Sequence, residues 1–129
     1  MKNDNLLKKL RLKTEEKLLI LNAPPDFAEQ LEEVVFFDGV SENAPKKFDF
    51  VMAFVHDTKD LNVIFHTTVK HQKYDAIFWL AYPKISFETD LNRNNGWQIV
   101  ENAGFECVSQ TILDEKWAAL RFRPEGVVI

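Results

Sequence analysis

Phe48 to Val55 reads FDFVMAFV, apolar on both faces apart from Asp49. A strand with that pattern is covered above and below, as the central strands of parallel sheets are. The chain must therefore supply helices for both faces, and its remaining apolar patterns do so. Lys17 to Leu21 is a first buried strand. Phe27, Leu31 and Val34 mark one face of a short helix, with Asp26 as its N-cap after Pro25. Val34 to Phe37 forms a second strand, ended by Asp38-Gly39. Two strands separated by one helix make a minimal right-handed crossover and hence a parallel pair. Val40 to Lys47 reads as loop. Leu61, Ile64, Phe65 and Thr68 have helical spacing, which predicts a helix from Thr58 to about Gln72.

Tyr74 to Tyr82 is a fourth strand stopped by Pro83. Lys84 to Gly96 is polar and loop-like. Trp97, Val100 and Ala103 line a helix that Gly104 ends. Phe105 to Leu113 and Trp117 to Arg123 are strands joined by Asp114-Glu115-Lys116, a hairpin loop length. Near the start, Leu6-Leu7-Lys8-Lys9-Leu10 has the pattern of a short amphipathic helix. The expectation is an α/β domain of three layers, its six-stranded, mostly parallel sheet ending in an antiparallel hairpin.

At 129 residues the chain is one domain, residues 1 to 129. Eleven phenylalanines make an aromatic-rich core and exclude a disordered chain. A net charge of −4 gives no general attraction to nucleic acid or acidic membrane. The one cysteine, Cys107, rules out an internal disulfide and fits a reducing compartment. Its place in a strand marks it as a small buried apolar residue. Met1 to Asn5 lacks a secretory apolar run, and Ala76 to Tyr82 is too short to span a bilayer. These features describe a soluble cytoplasmic domain with no nucleic-acid or membrane partner.

The residues after the first strand matter most for function. Nucleotide-binding α/β folds place glycines there, so that backbone N–H groups approach a phosphate or ribose. Here the segment is Asn22-Ala23-Pro24-Pro25-Asp26, and two prolines remove two donors.

Several fragments resemble the class I methyltransferase fold, a Rossmann-like architecture that ends in such a hairpin. They are Phe48-Asp49-Phe50-Val51-Met52-Ala53, Ala76 to Tyr82, and Ala103-Gly104-Phe105. The resemblance implies the strand order 2-1-3-4-6-5, with the fold's third strand–helix unit missing at Val40 to Lys47. Lys17 to Pro124 is also similar to a bacterial family known as a domain of unknown function. The pieces that carry this are Leu21-Asn22-Ala23-Pro24-Pro25, Ala81-Tyr82-Pro83-Lys84, Thr89-Asp90-Leu91-Asn92-Arg93 with Gly96-Trp97, and Trp117 to Pro124. Ala118 and Asn94 depart from that family's usual Ser and Asp. The similarity implies a fold and no activity.

In open parallel sheets, ligands bind beyond the carboxyl ends of the strands. That rule selects Asn22 and Asp26 after strand one, Asp38 after strand two, and His56 and Asp57 after strand three. It selects Tyr82 and Lys84 after strand four. Asp38 is placed to accept bonds from a ribose, although Asp-Gly is also ordinary turn chemistry. Lys84 and Arg93, with Tyr82 and Asp90, can hold a phosphate or carboxylate; local pairing of Asp90 with Arg93 is the plainer reading. His66 and His71 lie five apart, not the four that would join two ligands on one helix face, and no metal is expected. Strand alternation puts Trp117, Ala119, Arg121 and Arg123 on one face of the last strand. Arg121 can stack on Trp97 if that indole packs there.

No acid–base pair or nucleophile elbow is present. The first expectation is therefore a non-catalytic interaction or regulatory module, with a protein partner or a second copy of itself and no cofactor. The alternatives are a binder of a small anionic metabolite or nucleotide, using Asn22, Asp38, His56, Tyr82, Lys84 and Arg93, and a reduced S-adenosylmethionine-dependent methyltransferase.

Overall fold

Residues 8–12, 17–31, 35–39, 48–84, 91–92 and 95–126 are described by a computed structural model. The strands are β1 (Leu18–Leu21), β2 (Phe48–Phe54), β3 (Gln72–Pro83), β4 (Phe105–Ile112) and β5 (Trp117–Pro124). The helices are α1 (Pro25–Gln30), α2 (Thr58–His71) and α3 (Gln98–Asn102). The sheet runs β1-β2-β3-β5-β4. The first three strands are parallel, and β5 and β4 complete it antiparallel.

Among the described residues, five strands stand where six were expected. The missing one is the second, Val34 to Phe37, of which Val34 lies outside the described residues. Phe37 makes a single parallel bridge to Leu19. Ile20 N donates to Phe37 O at 2.9 Å, and Phe37 N donates to Leu18 O at 2.8 Å. Val35 is 88% exposed and Phe37 42%, so little apolar packing holds this run beyond the one bridge. The other five strands keep the relative order expected of them. The expected loop at Val40 to Lys47 lies outside the described residues.

Alternation along the strands divides the core in two. On one face Val51, Phe78, Leu80 and Phe122 meet Leu61, Ile64 and Phe65 of α2 and Val100 of α3. On the other, Met52, Phe54 and Trp79 meet Phe27 and Leu31 at α1, and Leu10 from the N-terminal segment. Leu6 and Leu7 lie outside the described residues; Lys8 and Lys9 are helical. The Trp79 indole donates to Leu10 O at 2.9 Å and ties this segment to the sheet.

Three local expectations need correction. Asp26 does not cap α1; Pro24 occupies the N-cap, and no side chain bonds the helix start. Two successive prolines fix φ near helical values, which moves the helix start ahead of the aspartate. Cys107 is exposed rather than buried, because β4 is the outermost strand and its register shifts between Cys107 and Ser109. Trp97 packs on Phe122 at 5.7 Å, on the face opposite Arg121, so it offers that guanidinium no platform.

β3 carries an irregularity opposite Phe48 and Phe50, and within it Asp75 adopts φ 58. Its carboxylate takes two bonds from Arg123, Nε to Oδ1 at 2.9 Å and Nη2 to Oδ2 at 2.6 Å. The Arg123 bonds hold the Asp75 carboxyl below its ordinary range, against the opposing effect of burial. A carboxyl lowered on folding stabilises the fold above its unfolded pKa and loses that contribution as pH falls. Asp75→Asn keeps the left-handed preference but removes the charge. We expect it to cost about 1 kcal/mol near neutral pH. In urea unfolding, its difference from the wild type should shrink steadily below about pH 4.

Among the described residues, no helix is long and apolar enough to cross a membrane.

Candidate functional site

The carboxyl ends of β1 and β2 open beside the turn of the β4–β5 hairpin, because β5 runs antiparallel and begins opposite Pro83. Between them lies a cleft of about 600 Å³. Asn22 to Asp26 form one wall, His56 another, and Asp114, Lys116 and Trp117 of the hairpin the third.

Asn22 follows β1 with φ 59, in the left-handed region. Asn is one of the few residues besides glycine that enters this region readily. The backbone shape that a glycine would supply is therefore present without a glycine. The N–H donors are fewer, since Pro24 and Pro25 have none.

His56 follows β2 and is fixed on two sides. Its ring lies edge-to-face on Trp117, with centroids 5.3 Å apart. Its Nδ1 is 3.4 Å from Asp60 Oδ2, and its backbone N donates to the same oxygen at 2.9 Å. Asp60 is set in turn by its own N–H, which donates to the N-cap Asp57 at 2.8 Å. Asp114 Oδ1 accepts from the N–H groups of Lys116 and Trp117, both at 2.8 Å, and so shapes the hairpin turn. Trp117 rests edge-to-face on Phe54 at 5.1 Å, and Phe54 on Phe27 at 4.9 Å. An aromatic column thus runs from the core to the cleft.

Of the residues selected from sequence, Asn22, Asp26 and His56 come together here. Asp38 is exposed just after the Phe37 bridge, at the neighbouring edge, and does not line the cleft. Tyr82 points to the other face of the sheet. It is buried against Trp97 at 5.6 Å, and its hydroxyl accepts from Gln110 Nε2 at 3.1 Å. Lys84 is spent on structure: its Nζ donates to Asp114 O at 3.1 Å and its N to Lys116 O at 2.8 Å. Arg93 and Asp90 lie outside the described residues. The anion-holding cluster of Tyr82, Lys84 and Arg93 is therefore not assembled among the described residues. Sequence reasoning missed Trp117, Asp114 and Lys116. The signal was available, since a hairpin after a parallel sheet returns its turn to the carboxyl end.

Among the described residues, no group of three His, Cys, Asp or Glu side chains can hold a metal ion.

The fold is shared with solved methyltransferases. The chain is similar to the glycopeptide N-methyltransferase MtfA, with a TM-score of 0.58 and 12% identity, over 93% of this chain and 94% of that one. It is similar to a SAM-dependent methyltransferase from Aquifex aeolicus, with a TM-score of 0.55 and 13% identity, over 92% of this chain and 87% of that one. A phosphoethanolamine N-methyltransferase from Haemonchus contortus aligns with a TM-score of 0.58 at 10% identity, over 95% of this chain and 36% of that one. No protein-family model matches the chain, and no curated protein matches it. The expected similarity to a bacterial family of unknown function is thus without support from any family model. At these identities the likeness establishes the architecture: this chain has a methyltransferase-like Rossmann fold.

Proposed function

We propose that this domain is a reduced S-adenosylmethionine-dependent methyltransferase that binds that molecule at the carboxyl end of its sheet. The observation that carries the reading is Asn22, held in the left-handed conformation directly after β1. The case for a non-catalytic interaction module rested on the absent glycines and the absent acid–base pair; Asn22 supplies the left-handed conformation of one such glycine. The structural neighbours named above are methyltransferases, which supports the same reading.

The residues present fit such a ligand. The cleft beside Asn22, about 600 Å³, is within the range of small-molecule sites. Asn22 offers an amide that both donates and accepts. Asp38, one residue past the Phe37 bridge and outside the cleft lining, would meet the ribose hydroxyls of a ligand that extends beyond the cleft. With two prolines in the turn, these side chains take over work that backbone N–H groups do elsewhere. S-adenosylmethionine, when bound, supplies an activated methyl group.

Calorimetry and thermal unfolding with S-adenosylmethionine and its demethylated product test this. At a hundredfold excess over the dissociation constant, stabilisation should reach about 2.7 kcal/mol. Asp38→Asn should weaken binding about tenfold, a loss of about 1.4 kcal/mol. The melting temperature of the free protein should barely move, because Asp38 is exposed. Heat and melting point unchanged by either compound would refute the proposal.

A further inference from the structure

We infer that the outer face of α2 is a docking surface for an acidic amphipathic helix of a partner protein. Such docking does not depend on methyl transfer.

Lys59, Val63, His66 and Lys70 follow one another at four, three and four positions, so one stripe of α2 carries them all. Each is exposed, Val63 at 70%. Lys59 and Lys70 lie about 16 Å apart along the helix axis. No acid stands three or four positions from either lysine, so neither charge is matched along the helix. Asp60 is the one acid of α2, about 100° round the helix from Lys59. Its Oδ2 accepts the His56 backbone N–H at 2.9 Å.

Two members of the stripe work against the helix that holds them. Lys59 sits in the first turn, where the helix dipole disfavours a cation. Val63 is β-branched, which lowers its helix propensity, and its exposure wins back little by burial. Residues that oppose local stability are expected where a surface serves a function.

Charge selects the partner. Cations flank one apolar contact, as a charged rim surrounds the small apolar centre of a protein interface. Beside the stripe, a hollow of about 340 Å³ is lined by Lys59 and Asn62 of α2 and by Gln98 and Ile99 of α3. Among the described residues no acid lines it. A carboxylate entering it meets one ammonium and two side-chain amides. Glu101 of α3 lines a different hollow, beside Cys107. A nucleic acid or an anionic bilayer would run on past the stripe over a molecule of net charge −4, which repels it. A helix of three turns ends where the stripe ends.

Nuclear magnetic resonance on the full ¹⁵N-labelled chain tests this. The probe is a helix-forming peptide of about sixteen residues, with glutamates repeating the spacing of the stripe around one leucine. A peptide of the same composition with the glutamates scattered is the control. The patterned peptide should give saturating shifts at Lys59, Asn62, Val63, His66 and Lys70, and the scattered one should bind about tenfold more weakly. Affinity should fall as salt rises. Val63→Ser should weaken the patterned peptide several-fold. Lys59→Glu should weaken it about tenfold and slightly raise the melting temperature, because the dipole favours an acid there. Equal binding of the two peptides, or shifts centred away from α2, would overturn the proposal. So would tighter binding of short single-stranded DNA or of phosphatidylserine vesicles, or a lowered melting temperature in Lys59→Glu.

Discussion

Trp79→Ala is expected to cost about 4 to 5 kcal/mol, the upper end for removing a buried aromatic side chain. Trp79 is 1% exposed and sits in β3, on the face shared by Phe50, Met52 and Leu10. Truncation leaves a large void and also removes the donor to Leu10 O, so a buried carbonyl loses its partner. A domain of this size has about 5 to 15 kcal/mol in total, so the variant should be marginal at room temperature. Trp79→Phe separates the two contributions. It keeps most of the apolar volume and lacks the N–H, and about 1 to 3 kcal/mol is expected. Urea unfolding gives both values. Hydrogen exchange in Trp79→Phe should rise first at Leu10 to Leu12, because the indole bond fastens that segment. Protection unchanged there would show that apolar contact alone holds it.

Phe54→Ala is expected to cost about 4 kcal/mol, and its effect should reach the cleft. Phe54 is fully buried and touches both Phe27 of α1 and Trp117 of β5. It is the piece that joins the first helix to the hairpin beneath the candidate site. Trp117 in turn supports His56. Phe54→Leu is the more informative variant, since it should fold at a cost of about 1 to 1.5 kcal/mol. Its folded state should bind S-adenosylmethionine several-fold less tightly than the wild type, because the Trp117 ring loses its backing. Wild-type affinity in Phe54→Leu would mean that the hairpin positions Trp117 without help from the core.

The sheet was legible because its strands carry the pattern their burial demands. Phe48 to Phe54 is apolar on both faces and is central. The alternation in Trp117 to Phe122 placed Ala118, Leu120 and Phe122 together, and they share one core. Val34 to Phe37 failed because an apolar run does not report how much of it will be paired; Val35 remains in solvent, and Phe36 and Phe37 pack in part without forming a strand. The site was half legible. The strand-end rule found Asn22, Asp26 and His56, whose positions follow from topology alone. It also chose Tyr82 and Lys84, because it places a residue at a level of the sheet and says nothing of which face its side chain takes. Tyr82 turned to the α2 side, and Lys84 was drawn to the hairpin carbonyl of Asp114. Asn22's backbone conformation was the main feature that residue names concealed. The turn was read for the N–H donors that its prolines lack, and asparagine supplies a glycine's geometry there at modest cost.

The outermost strand also bears on how copies of this chain treat one another. β4 ends the sheet with eight residues and includes neither lysine nor proline, the usual guards of such a border. The slip in register at Cys107 to Ser109 takes over that task. An extra residue there bends the strand and interrupts the even spacing of its outward amide groups. A neighbour laid alongside would match one half of the border and miss the other, so the kink protects the molecule from growing into a fibre.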